Sequence, residues 1–297
     1  MITAGNFQDA NEPIAIKNFQ LGFKEVPAER DMLFSVEKSD KLYETYLELG
    51  DIGTMGDFDG DLSYEDVSQG YKMTVTADEM AKGIKIQRKF MRTDQINVVK
   101  DLPKMLGLAA RRRIAADTFA LFNNAFNTSY TTIDALQLCS TAHTAHANQG
   151  GTNQSNKGTT AFSATQVEAI RRLMKKFTTN TDQLFEVNPD MLVVPRSLEE
   201  SAYELIKSSG KVDTANNNKN FHEGKYKLLV SDWLDDDNNF FVIDSELMKM
   251  MLVWNNVDPL EFGQANDFDG FNAKYRAYMF YGFGARDWRF VYGSEVA

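Results

Sequence analysis

Cysteine is almost missing from this 297-residue sequence: Cys139 is the only one, so no disulfide can close within the chain, and stability has to come from packing and assembly. Long apolar runs are missing too. Uninterrupted ones stop at five residues, as at Met250 to Trp254, far short of the ~20 that a membrane helix needs. No charged segment followed by an apolar one opens the chain at Met1, which predicts a soluble protein, made in a cytoplasm, with no membrane partner. Positive charge is in deficit, 32 Lys and Arg against 42 Asp and Glu for a net −10, and this argues against sequence-specific nucleic-acid binding. Also missing are a phosphate-binding glycine loop with Lys followed by Ser or Thr, a serine elbow, and a dinucleotide fingerprint after a strand. The common enzyme motifs therefore have no foothold, and no cofactor is expected.

What is present is enough to build a core. A 297-residue chain with 43% hydrophobic content sits where one core stops growing, so one large or two joined domains are expected. Residues 1 to about 38 show no sustained period and predict an extended arm. Leu42, Tyr43, Tyr46 and Leu49 recur at helical spacing, and Gly50, Gly53, Gly56 and Gly60 then break the pattern. Between Gly70 and Arg92 the period becomes two: Tyr71, Met73 and Val75 alternate with polar residues, as do Ile84 and Ile86, which predicts a long hairpin turning over Ala77 to Gly83. Such a ribbon is marginal alone and needs cover from another subunit.

Asp101 with Pro103 in the first turn starts a long helix reaching about Phe126, a spine on the order of 37 Å. Ser140 to Thr160 is polar and predicts a surface loop. Ser163 with Gln166 forms a capping box ahead of Val167, Ile170, Met174 and Phe177, and Ser197 with Glu200 forms a second ahead of Leu198, Ala202, Leu205 and Ile206. Met191 to Val194, Tyr226 to Val230, Phe240 to Ile243, Met250 to Trp254, Phe271 to Phe283 and Trp288 to Tyr292 read as strands. The class is α+β in two segregated parts, without internal repeats.

Chemistry can be read into four clusters, each with a plainer reading. Cys139, His143 and His146 could mark a nucleophile or a metal site, and a hydrolase using Cys139 and His143 is the remote alternative; the spacing matches no metal motif, so loop residues without chemistry are favoured. Asp57, Asp59 and Asp61 fail the calcium-loop test, with Leu62 and Ser68 where Gly and Glu belong, so they read as turn carboxylates, as do Asp235, Asp236 and Asp237. Arg111, Arg112 and Arg113 read as a solvated helix face or as intersubunit ion-pair donors. No catalytic, cofactor or metal residues are assigned. The candidate intersubunit contacts are Met73, Val75, Ile84, Ile86, Lys82 and Lys85 with those three arginines.

The order of pieces, with Leu138-Cys139-Ser140-Thr141-Ala142-His143 before the Gly-rich loop, Leu192-Val193-Val194-Pro195 before Leu198-Glu199-Glu200, Leu229-Val230-Ser231 before the Asp turn, and Phe283-Gly284-Ala285 near the end, resembles tailed-bacteriophage major capsid proteins of the Hong Kong 97 fold. Within them it looks similar to the Mu-like major head subunits. The resemblance implies an N-terminal arm (1–49), an extended hairpin loop (50–92), a peripheral domain with the spine helix (93–160), an axial domain (161–261), and C-terminal strands returning to the peripheral domain (262–297). It further implies hexamers and pentamers closing into an icosahedral shell around double-stranded DNA, with portal and scaffolding or decoration proteins as partners, in a virion assembled in the host cytoplasm. An encapsulin-like nanocompartment shares the fold and is the alternative. Lys82 and Lys85 lie where some relatives carry a cross-linking lysine, but no acceptor is identifiable, and no charged helical extension of the internal-scaffold kind is visible at the N-terminus.

Overall fold

Helical and strand patterns alternate along the chain, and a computed structural model shows how they pack, describing residues 8–24, 29–52, 55, 57–58, 60, 62, 64, 66–93, 98–210, 219–267 and 270–296. In chain order the elements are α1 (Gln8–Lys24), α2 (Arg30–Leu33), β1 (Ser35–Lys38), β2 (Tyr43–Leu49), β3 (Gln69–Thr76), β4 (Asp78–Gln87), α3 (Arg88–Thr93), α4 (Val98–Asn123), β5 (Lys157–Gly158), α5 (Ala164–Met174), β6 (Met191–Pro195), α6 (Glu199–Lys207), β7 (Lys227–Ser231), β8 (Phe240–Ile243), α7 (Ser245–Met251), β9 (Leu252–Asp267), β10 (Asn272–Ala285) and β11 (Val291–Ser294). They form a four-stranded sheet in the order β1-β9-β10-β4, a five-stranded sheet in the order β5-β11-β8-β6-β7, and the β2-β3 pair.

The five-stranded sheet follows from its sequence. Strands β6 and β8 are apolar at every position and wholly buried, the mark of a strand covered on both faces. Alternate side chains serve different cores. Met191, Val193, Phe241 and Ile243 join Phe119 and Phe122 of α4, while Leu192, Val194, Phe240 and Val242 join Val167 and Ile170 of α5 and Ala202 and Leu205 of α6. Helix α5 begins where its capping residue puts it: the Ser163 hydroxyl accepts the Gln166 N–H at 3.2 Å.

Helix α4 ties the two sheets together. Its 26 residues extend about 39 Å. Leu106 packs over the four-stranded sheet with Ile86, Ala273 and Tyr275, whereas Ile114, Phe119, Leu121 and Phe122 pack at its other end with Phe241 and Trp254. Helix α1 lies against it through two glycines. A Cβ at Gly107 would sit 2.3 Å from the Phe19 carbonyl oxygen, and one at Gly22 would sit 2.1 Å from that of Lys104. Glycine inside a helix costs about 1 kcal/mol against alanine, and here it lets two backbones touch.

Several elements differ from the sequence expectations. Residues 8–24 form a helix where an arm was expected, because α1 has α4 to pack on. Residues 43–49 are a strand, not a helix: Glu44, Tyr46 and Glu48 turn inward while Tyr43, Thr45, Leu47 and Leu49 are exposed, the period of two that pairing with β3 imposes. The 70–92 hairpin does not form. Strand β3 pairs with β2 and β4 pairs with β10, with Ala77 alone between them, so no turn exists at 77–83. The spine helix starts three residues before Asp101, so Asp101 lies in its first turn and is not its cap. Ser197 sits in a 3-10 turn and donates its hydroxyl to the Asp237 carbonyl, and α6 lacks a side-chain cap. Residues 250 and 251 end α7, whose cap is Asp244, accepting the Glu246 and Leu247 N–H groups at 3.1 Å each. Finally, β9 runs through the boundary expected at residue 261, and β11 joins the five-stranded sheet beside β8, so the C-terminal strands divide between the two sheets.

Candidate assembly surface

Strands β2 and β3 form a ribbon whose root is bonded to the body and whose end is bare. At the root, the inward-facing Tyr46 hydroxyl donates to Asn255 Oδ1 at 2.8 Å, and the Arg286 guanidinium lies 3.9 Å from the Tyr46 ring centre. The Glu48 carboxylate accepts from Asn180 Nδ2 at 2.6 Å and from the Tyr71 N–H at 3.2 Å, and Asn180 in turn accepts from Arg289 at 2.6 Å. Burial pushes the Glu48 carboxyl up, against the pull of the Tyr71 hydrogen bond. Met73 and Val75 lie against Gly284, where a Cβ would stand 2.7 and 2.9 Å from their methyl groups.

Beyond the root the apolar side chains point at water. Leu49, Ile52, Phe58, Leu62 and Val67 are exposed, Tyr64 is 90% exposed and Met55 is 99% exposed. Exposed large apolar side chains gathered in one segment mark a candidate interaction site. Asp57 is exposed among them, while Asp59 and Asp61 lie outside the described residues.

The candidate contact residues divide. Val75 and Ile86 are buried within their own subunit, a correction that follows from the β3 and β4 pairings; Met73 and Ile84 are half-buried against that same interior. Lys82 and Lys85 are exposed on β4. The three arginines do not share a face, because consecutive helix residues diverge by about 100°. Arg111 is buried with its guanidinium 5.4 Å from the Phe23 ring centre, and Arg112 is exposed. Arg113 donates to Asp117 Oδ2 at 2.8 Å, an oxygen that also accepts from the Tyr281 hydroxyl at 2.6 Å. Burial and the Asp117 charge push the Tyr281 phenol well up.

The loop expected at the surface is instead tied inward. His143 is 1% exposed, with Nδ1 2.6 Å from Asp134 Oδ2 and Nε2 3.0 Å from Asn156 Oδ1, and its ring stacks on Trp288 at 4.2 Å. The Asn156 amide is oriented by its other bonds. Its Nδ2 donates to the Leu138 and Val291 carbonyls at 2.8 and 3.1 Å, and its Oδ1 accepts the Ser140 N–H at 2.8 Å. Both ring nitrogens of His143 thus lie within hydrogen-bond distance of a side-chain oxygen. Burial raises Asp134, but the His143 hydrogen bond and charge, the Thr132 hydroxyl and the Leu136 N–H outweigh it and hold the carboxyl below its ordinary range.

The network holds 134–156 to the C-terminal segment and engages both ring nitrogens of His143, leaving neither for Cys139. That thiol is fully buried, and burial pushes it far up. Cys139 in the folded protein is therefore expected to ignore a water-soluble aromatic disulfide reagent and to react fully once denatured; a stoichiometric reaction under native conditions would show an accessible thiol. His146 is half-buried and edge-on to Tyr71 at 4.7 Å. Among the acidic turn residues, Asp236 Oδ1 accepts the Asn238 and Asn239 N–H groups, a turn role. Asp134, Asn156 and Trp288 escaped the sequence reading.

The described residues thus join a two-sheet body on one spine helix to a ribbon that presents exposed apolar side chains. A family profile described as phage capsid protein matches residues 70–294, and the chain belongs to that family. It is 30% identical over 139 residues to the Mu-like prophage FluMu major head subunit of Haemophilus influenzae, a match covering 46% of this chain and 44% of that protein, so the chain spans about half the length of the curated relative it matches. Among solved structures, the mature capsid of bacteriophage PhiM1 superposes with a TM-score of 0.62 at 12% identity, over 92% of this chain and 88% of that one. The capsid of bacteriophage JBD30 decorated with minor capsid protein trimers does so with a TM-score of 0.58 at 16% identity, over 72% and 94%. At these identities the likeness is one of fold. No helix among the described residues is long and apolar enough to cross a membrane.

Proposed function

We propose that this chain is the major capsid subunit of a tailed-phage head, a structural protein without catalytic activity, which assembles into hexamers and pentamers closing an icosahedral shell around double-stranded DNA. The observation that carries this reading is the ribbon end: its large side chains among the described residues are exposed, and a neighbouring copy would cover them. The net charge of −10 fits a wall past which packaged DNA slides without sticking. Portal and scaffolding or decoration proteins complete the particle, which assembles in the host cytoplasm. Sedimentation and negative-stain imaging of purified protein test this. Closed shells in the megadalton range are expected, and a compact monomer at every salt and protein concentration tried would overturn it.

A further inference from the structure

We propose that the turn at residues 219–226, clamped over the end of α6, is an acid-released latch whose trigger is the buried imidazole of His222. The proposal stands apart from the shell reading and concerns a device within one subunit. The clamp is built on carbonyls at the end of α6, which a helix leaves without intrahelical partners. The Gly224 N–H donates to the Ile206 carbonyl at 2.9 Å, and Asn220 Nδ2 donates to the Leu205 and Ser208 carbonyls at 2.7 and 2.8 Å. On its other side Asn220 accepts the His222 N–H with Oδ1 at 3.0 Å, so the clamp and His222 are joined directly. Gly224 carries the turn at a φ of +68°, a conformation that favours glycine.

Inside the turn the polar groups are poorly served. His222 and Tyr226 are buried with ring centres 5.8 Å apart, and His222 Nδ1 and the Tyr226 hydroxyl find no hydrogen-bond partner among the described residues. Tyr226 joins Val167 and Ile170 of α5 and Ala202, Leu205 and Ile206 of α6. The ionisable side chains of α6, Glu199, Glu200, Glu204 and Lys207, are exposed, as is Glu223 of the turn.

The groups that bear on the imidazole come from α5 and from the turn itself. Burial disfavours the imidazolium most, and the charges of Lys225 and Arg171 add to that; the Glu168 carboxylate and the Ala164 backbone oppose it without prevailing, so His222 titrates below its ordinary 6.5. Glu168 is itself engaged by Arg171 and Arg172 at 2.8 Å each. Above pH 6.5 the imidazole is neutral whether the turn is seated or released. As pH falls below that value the released turn takes up a proton that the seated one refuses, and the ratio of released to seated turns rises by up to about tenfold per pH unit until the seated imidazole is also protonated.

Hydrogen–deuterium exchange of the full-length protein, corrected for the intrinsic pH dependence of exchange, tests the latch in wild type, His222→Gln and Tyr226→Phe. In wild type, protection of the amides at 220–225 should fall roughly tenfold or more from pH 7 to pH 5, while protection in β6 and β8 holds steady. His222→Gln removes the titrating group and should keep the protection of the turn constant over that range. Tyr226→Phe removes only an unpartnered hydroxyl and should retain the wild-type fall. A wild-type turn equally protected at both pH values would overturn the latch, as would an equal fall in His222→Gln. Should His222→Gln be released already at pH 7, the pH profile of deuterium uptake at the His222 ring carbon in wild type decides. A midpoint below 6.5 supports the latch, and one at or above it removes the latch.

Discussion

His143→Ala is expected to cost the subunit roughly 3–5 kcal/mol, the range for leaving a buried charge without its partner. The loss has three parts. Asp134, whose side chain is 3% exposed, loses its ring partner; the Asn156 oxygen loses its contact with Nε2; and the face of Trp288 loses the ring stacked on it at 4.2 Å. Against a typical total of about 5–15 kcal/mol, that approaches unfolding. His146→Ala, which removes an edge contact to Tyr71 and the acceptor of the exposed Asn148 N–H, should cost about 0.5–1.5 kcal/mol. Urea titrations of both variants beside wild type decide it, and equal midpoints for His143→Ala and wild type would show that the pair contributes nothing. The same pair sets a pH dependence. The Asp134 carboxyl is held below its ordinary value of 3.8, so its contribution is complete above that pH and is lost as pH falls below 3.8 toward the lower folded value. Melting temperature should drop on that acid side, with a shallower drop in Asp134→Asn.

The parts of the fold legible in the sequence were those with local causes. Strands β6 and β8 declare themselves by uninterrupted apolar runs, and Ser163 with Gln166 declares the start of α5, because capping involves residues three apart. What was missed depended on distant partners. Tyr43, Tyr46 and Leu49 imitate a helix at intervals of three, and only pairing with β3 decides that Glu44, Tyr46 and Glu48 share a face. Strands β3 and β4 adjoin in sequence, yet β4 finds its partner in β10, nearly 200 residues later. Helix α1 hides its packing face because the contact is made by Ala15, Gly22 and Gly107 as well as by Phe19, and small residues leave little hydrophobic period. The exposed ribbon was legible in part: an extended loop was expected at 50–92 with its hairpin at 70–92, whereas the exposed apolar side chains of the ribbon lie between Leu42 and Val67. The His143 network was invisible because its partners are scattered: Asn156 lies in a segment whose polar composition suggests a loop, Asp134 before it, and Trp288 in a distant segment that reads as a strand.

Ile86→Asp is expected to leave no cooperatively folded subunit, and not a folded monomer that merely fails to assemble. Ile86 is 6% exposed and shares a cluster with Ala15, Phe19, Leu106 and Tyr275. Removing its methyl groups alone costs about 2–5 kcal/mol, and an unpaired carboxylate among those neighbours adds several more. The sum is comparable to the whole stability of about 5–15 kcal/mol. Deleting 77–83 should act similarly, because it strips the β4 edge of its pairs from Asp78 with Tyr281 to Gly83 with Arg276. Exposed Lys82 is the control: Lys82→Asp should shift stability by no more than about 0.5 kcal/mol. Near-ultraviolet circular dichroism separates the outcomes, since the aromatic signal reports fixed packing. A wild-type spectrum and melting curve from Ile86→Asp would mean that β4 does not belong to the core of its own subunit.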